Sequence, residues 1–597
     1  MKPIRSRSAR AIVVAAAAGS LVLTGCSSED KKGSNEKAQN QQDAAKQSKP
    51  VSYGNAAAST GPAKDIAGAK PGGFISVYTQ SDLSHMDPGQ IYVSDAGQFS
   101  NLVHRGLTNY QEGPNGLVVV GDVATDSGKS SNGGKTWTYT IKDGVKDENG
   151  NAITSADVRH TIERMYSKVI FDGPSYIQTW LSGSDYRKAL PDGPYKGKKL
   201  PDTVLATPDA KTVVFNFKEA QPDLPQALAM PGYSIVPAKA DTKENYDKKP
   251  VALGPYKIAE TKPGKSMKLV KNPNWDPKTD AVRHQYPDGF NFTTTIDQAS
   301  QTKRLISDQG EAKNAIQFTD SVDPAQMQSV INDPKVNKRT VKGYQPYVWQ
   351  MTFNLDRMKD KKIRDAITYA IPNQRMIQAD GGRYGGELAG GLFAPTLPGF
   401  DPNYDPFEKK KTPNGNEAKA KELLKEAGFK QGTKLSYAYS NTPRGQKQMV
   451  IIKDALNKLG FNVQAHEIDR KSFYEQIGKL NNTFDLYMTG WGQDWPSPGT
   501  VVTPVYDGEL VSDGGSNYSH IKDPEVTNGI NEAVQLSPAE AGPKWAEIHK
   551  RIVEGVNPAA PVYYSKQIQL SGSNIGGAKY STESSYININ DLFLINP

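Results

Sequence analysis

The apolar residues of this chain recur with two different periods, which predict strands and helices respectively. Alternation with a two-residue period marks residues 74–79, 134–141 and 484–488 as strands. Apolar residues at helical spacing mark residues 363–371 and 446–459 as helices. From residue 446 to residue 488, helices and strands alternate in the order of a βαβ unit. The pattern therefore predicts a mixed α/β protein.

The start of the chain is typical of an export signal. Four basic residues precede an apolar run at residues 11–23, and Leu-Thr-Gly-Cys follows, ending at Cys26. A transmembrane anchor and a plain signal peptide are the alternatives. The apolar run is shorter than the ~20 residues that span a bilayer, and Cys26 is the only cysteine. We interpret residues 1–25 as a lipoprotein signal peptide and Cys26 as the lipidation site, which predicts an extracytoplasmic protein anchored to the outer face of the cell membrane.

The next segment, residues 26–70, is polar and has almost no large apolar side chain before Val51, so we predict a flexible lipidated tether. Residues 1–25 carry four positive charges and no negative one, so without them the net charge falls from +8 to +4. This weak bias is spread over 72 basic and 64 acidic residues, which argues against a nucleic-acid partner. The remaining residues are too many for one core and predict several lobes.

The strand at residues 484–488 leads into the most distinctive stretch of the chain. It is expected to stop at Gly490-Trp491-Gly492, where two glycines permit positive φ and close approach of another backbone. Asp494 and Trp495 follow, so that a carboxylate lies between two tryptophans, an arrangement that suits an organic cation. The alternative is an ordinary loop in which Asp494 caps backbone amides.

The spacing G-W-x-x-D-x-x-x-P, ending at Pro498, resembles the hallmark of bacterial family 5 solute-binding proteins, the peptide receptors of ABC importers. Further segments resemble family landmarks in the same order, among them Gly254-Pro255-Tyr256 and the helix at residues 363–371. The resemblance covers residues 72–564. It implies that Asp494 holds the α-ammonium group of a peptide. It also implies that the segment of Ile91, Tyr92 and Ser94 runs beside the peptide backbone, for which an ordinary loop is an equal alternative.

The family's architecture implies a two-lobed periplasmic-binding-protein-like fold of type II with an extra third domain. Domain I would comprise residues 71–103, 253–341 and 562–597, domain II residues 104–252, and domain III residues 342–561. Crossing strands would form a hinge, and closure around the ligand would allow recognition by the permease. A residue that binds the peptide carboxylate is also needed. Arg470 and Lys479 are candidates only because they lie just before the 484–488 strand, and solvated surface charge is the alternative.

The sequence offers little support for an enzyme. Its seven histidines include no H-E-x-x-H and no i, i+4 pair, so zinc ligands at the usual spacing are lacking. Neither G-x-S-x-G nor a phosphate-binding G-x-x-x-x-G-K-[ST] is present. We expect a monomeric binding protein without a metal or cofactor. Its favoured cargo is an oligopeptide or dipeptide; the alternatives are a receptor for a metal chelate, haem or an oligosaccharide, or else an extracytoplasmic hydrolase or a surface adhesion or signalling protein.

Overall fold

The fold is that of a computed structural model, which describes residues 48–597. The predicted signal peptide, the lipidation site Cys26 and most of the predicted tether lie outside the described residues. Within residues 48–597, none of the helices combines the length and the apolar character needed to cross a bilayer.

Strands and helices are numbered here in chain order over the described residues. The strands are β1 (Ser52–Tyr53), β2 (Phe74–Tyr78), β3 (Thr108–Gly113), β4 (Gly116–Gly121), β5 (Lys129–Ser131), β6 (Thr136–Thr140), β7 (Leu205–Ala206), β8 (Thr212–Asn216), β9 (Tyr256–Lys262), β10 (Ser266–Lys271), β11 (Gly289–Thr293), β12 (Ala315–Gln317), β13 (Thr340–Phe353), β14 (Gly386–Leu388), β15 (Lys434–Ser440), β16 (Asn462–Ile468), β17 (Leu486–Gly492), β18 (Ala559–Leu570), β19 (Ile575–Gly576) and β20 (Phe593–Leu594). The α-helices are α1 (Ser94–Val103), α2 (Ser155–Arg164), α3 (Tyr176–Ser182), α4 (Tyr186–Ala189), α5 (Leu224–Ala227), α6 (Gln298–Ser307), α7 (Met327–Asn332), α8 (Pro334–Asn337), α9 (Lys361–Ala370), α10 (Asn373–Ala379), α11 (Glu417–Glu426), α12 (Pro443–Lys458), α13 (Phe473–Ile477), α14 (Gly499–Tyr506), α15 (Pro524–Ala533) and α16 (Pro538–Lys550).

The first lobe is built on a five-stranded sheet with the order β12-β2-β11-β10-β9. Strand β2 lies between β11 and β12 and runs parallel to both. Four of its five residues are buried, as expected for a strand covered on both faces. Ile75 and Val77 join a core that includes Phe290 and Phe292 from β11.

An insert that carries strands β3 to β8 packs beside the first lobe around its own core. It contains a four-stranded sheet of order β5-β6-β8-β7, and strands β3 and β4 form a hairpin. Its core includes Trp137 and Tyr139 from β6 and Phe215 from the neighbouring strand β8. Buried charges join the insert to the first lobe, because Arg105 donates to Asp122 at 2.7 Å and Arg283 donates to the same carboxylate at 2.9 Å.

The second lobe contains a six-stranded sheet of order β14-β18-β13-β17-β15-β16. Strands β16 and β17 are joined by α13 and both run parallel to β15, so the βαβ order predicted for residues 446–488 is confirmed. A core that includes Leu435, Ile452 and Leu486 lies under this sheet. Helices α14, α15 and α16 enclose a further core that includes Val502, Ile530 and Trp545.

Two long antiparallel strands, β13 and β18, connect the two lobes. Val341 near the start of β13 packs in the core of the first lobe, whereas Met351 near its end packs in the core of the second. The pairing register shifts between Tyr344 and Val348. Pro346 lies in this interval and has no N–H for the ladder, which accounts for the irregularity at the crossing.

The predicted tether ends earlier than expected. Strand β1 pairs in parallel with β4, and Val51, Ser59 and Ala63 are buried. The hydroxyl of Ser59 also accepts the N–H of Gly121 at 2.9 Å. The extension of the tether to residue 70 is therefore wrong, because the small side chains after Val51 pack on the sheet that contains β4.

Candidate functional site

The strand that leads to Asp494 is longer than the sequence predicts. Strand β17 includes Gly490 and Gly492, and neither glycine has a positive φ. A Cβ at Gly492 would lie 2.6 Å from the ring of Tyr347, and one at Gly490 would lie 3.2 Å from the ring of Trp349. The predicted stop at these glycines is therefore wrong. They are needed because aromatic side chains of β13 pack against the β17 backbone.

One edge of β17 is largely unpaired. On one side its seven residues all pair with β13, from Leu486 opposite Phe353 to Gly492 opposite Tyr347. On the other side β15 pairs only with Leu486 and Tyr487. Among the described residues, no strand continues the ladder beside residues 488–492 on that side. An extended chain can add to such an edge through main-chain hydrogen bonds.

Asp494 lies two residues beyond this edge and is surrounded by hydroxyl groups. The hydroxyl of Tyr92 donates to its Oδ2 at 3.0 Å, and the hydroxyl of Tyr176 donates to the same atom. Burial raises the pKa of Asp494 to about 6, although both hydroxyl donors act to lower it. No Lys, Arg or His of the described residues forms an ion pair with this carboxylate. Asp494 is therefore a partly buried carboxyl group that has hydroxyl donors but no cationic partner among the described residues.

The two tryptophans beside Asp494 have structural partners. The indole N–H of Trp491 donates to the carbonyl of Thr500 at 3.0 Å. In helix α14 the carbonyl of Thr500 would normally accept the backbone N–H of residue 504, but Pro504 has no N–H. The indole of Trp491 therefore supplies the donor that this carbonyl lacks within the helix. Trp495 is 4% exposed, and its indole N–H donates to Asp223 of the insert at 2.9 Å. Both indole N–H groups are therefore bonded within the protein, and the groups that donate to the Asp494 carboxylate are the hydroxyls of Tyr92 and Tyr176.

The residues Ile91, Tyr92 and Ser94 differ in burial and in the groups that they contact. The side chain of Ile91 is buried in the protein, at 2% exposed. Tyr92 is 45% exposed and reaches Asp494, while Ser94 begins helix α1. The backbone between them is extended but has no strand partner among the described residues. This segment therefore contributes one hydroxyl group to the surroundings of Asp494. Tyr176, which the sequence did not single out, contributes the other.

Neither predicted carboxylate-binding residue is placed as expected. Arg470 lies exposed in the turn after β16, and Lys479 is exposed and forms an ion pair with Glu475 at 3.2 Å. Both therefore resemble solvated surface charge, the stated alternative.

A different cation, Arg444, lies beside the unpaired edge of β17. Its guanidinium carbon is 4.4 Å from the ring centre of Trp349, the residue that pairs with Gly490. Its only ion pair among the described residues is a long one, 3.4 Å to Asp380, and the hydroxyl of Tyr563 also donates to that carboxylate at 2.7 Å. Burial raises the pKa of Asp380 more than the charge of Arg444 lowers it.

A signal for Arg444 was present in the sequence. It occupies the first turn of α12, directly after Pro443 and just beyond β15. A cation is unfavourable at the positive end of a helix unless it acts together with that end on an anion. The carboxyl ends of parallel strands are also the usual location of ligand sites in α/β sheets.

The described residues contain no group of three or more His, Cys, Asp or Glu side chains arranged to hold a metal ion. The histidines whose ring nitrogens approach a carboxylate include His85, which lies 2.9 Å from Asp247, and His160, which lies 2.8 Å from Asp241. The first pair joins the first lobe to the insert, whereas both members of the second pair belong to the insert.

The chain is similar to known binding proteins over most of its length. It is 24% identical over 552 residues to the oligopeptide-binding protein AppA of Bacillus subtilis (strain 168), covering 87% of this chain and 89% of the relative. The solved structure of clavulanic acid biosynthesis oligopeptide binding protein 2 superposes with a TM-score of 0.82 at 25% identity, covering 92% of this chain and all of that one.

A second solved structure, AppA from Bacillus subtilis in complex with a nonapeptide, matches with a TM-score of 0.65 at 22% identity over 88% of this chain and 98% of that one. These likenesses show the two-lobed periplasmic-binding-protein fold. The family model for bacterial extracellular solute-binding proteins, family 5, matches residues 118–512, which is more than half of the chain. The protein therefore belongs to the bacterial extracellular solute-binding proteins of family 5.

Proposed function

We propose that this protein is the extracytoplasmic substrate-binding lipoprotein of an ABC importer, which captures an oligopeptide or dipeptide and delivers it to the membrane permease. The observation that carries the proposal is Asp494, a partly buried carboxylate without a cationic partner at the end of an unpaired strand edge. The matching relatives include oligopeptide-binding proteins, which supports a peptide as the cargo.

The peptide would lie antiparallel to residues 488–492 of β17. Its α-ammonium group would sit on Asp494, where it replaces water with an ionised carboxylate and so offsets its desolvation. Its backbone would pair with the strand edge, leaving side chains loosely specified. Its carboxylate would reach Arg444, which can donate two parallel hydrogen bonds.

The separation of the two charges implies a preferred length. Gly490, opposite Trp349 and Arg444, lies four residues before Asp494 in the chain. At ~3.3 Å per extended residue this corresponds to at most about 13 Å, because β17 ends at Gly492 and the chain bends at Asp494. That spacing fits roughly three or four extended peptide residues when both peptide termini are bound. Longer peptides would have to leave the edge before Arg444.

Calorimetric titration with free, N-acetylated and C-amidated tri- and tetraalanine tests this arrangement. We expect Asp494→Asn to weaken binding of the free peptides by about 2 to 5 kcal/mol, or ~30-fold or more, and to reduce discrimination against acetylated peptides. Arg444→Gln should abolish the preference for a free carboxylate. Arg470→Gln and Lys479→Gln are matched controls, because both residues are exposed. If Asp494→Asn bound free peptides as tightly as the native protein, the amine anchor would be ruled out.

The lipid anchor is tested separately, because Cys26 lies outside the described residues. We expect Cys26→Ala to move the protein from the membrane fraction to the soluble extracytoplasmic fraction without a change in peptide affinity. Acyl chains supply the membrane affinity in this proposal, and one chain alone would bind only marginally. Recovery of Cys26→Ala in the membrane fraction would contradict the anchor.

A further inference from the structure

A cavity of about 400 Å³ lies between the insert and the second lobe. Tyr176 and Trp180 line it from the insert, and Trp495, Trp545 and Leu536 line it from the second lobe. Small-molecule sites in proteins typically measure roughly 300 to 1,000 Å³ and lie where domains meet. The size and the position of the cavity are therefore those of a ligand site.

The walls of the cavity are suited to a neutral aromatic or apolar molecule. Three tryptophans line it, together with prolines from both sides such as Pro222 and Pro498. The two charged residues on the walls have partners: Asp223 accepts the indole N–H of Trp495 at 2.9 Å, and Glu219 forms an ion pair with Lys135 at 3.5 Å. A charged ligand would therefore lose its water without gaining an unpaired counter-charge.

The cavity shares residues with the surroundings of Asp494. The hydroxyl of Tyr176 donates to the Asp494 carboxylate, and the ring of Tyr176 lies 4.6 Å from that of Trp495. The hydroxyl of Thr500, another lining residue, accepts the backbone N–H of Asp494 at 3.3 Å. A molecule in the cavity would contact both the insert and the second lobe, and would hold in place two of the groups that position Asp494.

We propose that this cavity is a second binding site, for a small neutral aromatic or apolar molecule, and that its occupation and peptide binding at Asp494 strengthen each other. The linkage rests on the proposed peptide function. A ligand in the cavity contacts both the insert and the second lobe. It therefore binds the arrangement in which these two parts are in contact better than any arrangement in which they separate, and this difference links the two sites. Coupling between two sites is reciprocal, so the peptide must favour the second ligand by the same factor.

The test uses N-phenyl-1-naphthylamine, a neutral dye whose fluorescence rises in apolar surroundings. We expect saturable binding with one dye per protein, and an affinity that increases about fivefold or more when trialanine saturates the peptide site. Leu536→Glu places a charge on the cavity rim, where the native side chain is already 36% exposed to solvent. It should weaken dye binding about tenfold or more and leave peptide affinity unchanged. Val450→Glu, at a site 59% exposed on α12, is the control.

Each other outcome has a definite meaning. Dye binding that weakens as trialanine is added would show that the cavity takes part of the peptide itself, and would overturn the second site. Dye binding that Leu536→Glu and Val450→Glu affect equally would also overturn it. Absence of peptide binding in calorimetry would instead refute the proposed function and the linkage, while the dye titration of the native protein and of Leu536→Glu would still decide whether the cavity is a site.

Discussion

At the scale of single residues, Asp494 and Arg444 are ionisable groups whose surroundings provide an incomplete set of partners. Asp494 accepts from two tyrosine hydroxyls, but burial still raises its pKa to about 6. Arg444 stacks on Trp349 and has one long contact to Asp380. In the proposed complex Asp494 would gain the cation that it lacks, and Arg444 would gain a second anion besides Asp380; the two ends of a peptide supply those two charges.

Peptide affinity should depend on pH through Asp494. Only the ionised carboxylate binds an ammonium group well, and with a pKa of about 6 only about one molecule in ten is ionised at pH 5. We expect the apparent dissociation constant to rise about tenfold between pH 7.5 and pH 5. Calorimetry at the two pH values measures this change. Asp494→Asn, which does not titrate, should show a nearly flat profile, and an equal pH dependence in the variant would point to another group.

The same pKa predicts a change in stability without ligand. The folded pKa of Asp494 is raised above its ordinary value of 3.8, so the native state binds more protons than the unfolded chain between about pH 4 and pH 6. The contribution of Asp494 to stability therefore decreases as the pH rises through this window. In urea unfolding, Asp494→Asn should gain stability relative to the native protein from pH 4 to pH 7. A constant difference between the two proteins would contradict the raised pKa.

At the scale of secondary-structure elements, aromatic side chains of β13 pack against β17. They occupy the space that side chains would fill if β17 had larger residues in place of its two glycines. Tyr347 and Trp349 lie over Gly492 and Gly490. The same strand leaves residues 488–492 unpaired on its other edge. The glycines therefore set how closely β13 approaches, while no strand of the described residues covers the opposite edge beyond Tyr487.

Gly492→Ala should destabilise the second lobe. Its Cβ would lie 2.6 Å from the Tyr347 ring, so the ring has to move, and overpacking of this kind costs about 1 to 3 kcal/mol. Peptide affinity should fall as well, because the strand edge shifts. Gly97→Ala is the matched control: it lies inside helix α1, its Cβ would meet only Pro231 at 3.7 Å, and it should stabilise the protein by about 0.5 to 1 kcal/mol. Urea unfolding of both variants measures the difference; equal effects would contradict the steric argument.

At the scale of the whole molecule, the second lobe and the insert meet through Trp495. Its ring lies within the core of the insert, 6.1 Å from that of Trp180, and its N–H binds Asp223. Burial raises the pKa of Asp223, against the effect of the Trp495 and Ser497 hydrogen bonds. The contact between the insert and the second lobe should therefore weaken when Asp223 loses the hydrogen bond from the Trp495 indole.

Trp495→Phe should favour separation of the lobes. It keeps most of the ring but removes a donor from a buried carboxylate, which costs about 1 to 3 kcal/mol. The apparent peptide affinity should fall by about 5- to 150-fold, because less of the protein adopts the competent arrangement. Small-angle X-ray scattering should show a larger radius of gyration for the variant at limiting peptide. Trp491→Phe is the control, because its lost hydrogen bond to Thr500 lies within the second lobe. Equal expansion of both variants would contradict the role of Trp495.

The sequence alone determined the elements whose pattern is local. Two-residue alternation located β2, β6 and the start of β17, and helical spacing located α9 and α12, because burial of one face imposes these periods whatever the partner is. The spacing around Asp494 pointed to the family, which the comparison over residues 118–512 confirms. Residues 51–70 were wrongly assigned to the flexible tether. Their small side chains pack on the sheet that contains β4, and such side chains show neither the helical nor the two-residue spacing of apolar residues.

Only the tertiary structure decided which groups surround Asp494. Tyr176 lies 318 positions before Asp494 in the chain, and Asp223 lies 272 positions before Trp495. Arg444 meets Trp349 because α12 begins at the edge of the sheet that contains β13. Contacts of this kind depend on how separate elements pack, and no local pattern of residues encodes them. The physical reason is that burial constrains the faces of an element locally, whereas the partner that covers each face is set by the folding of the whole chain.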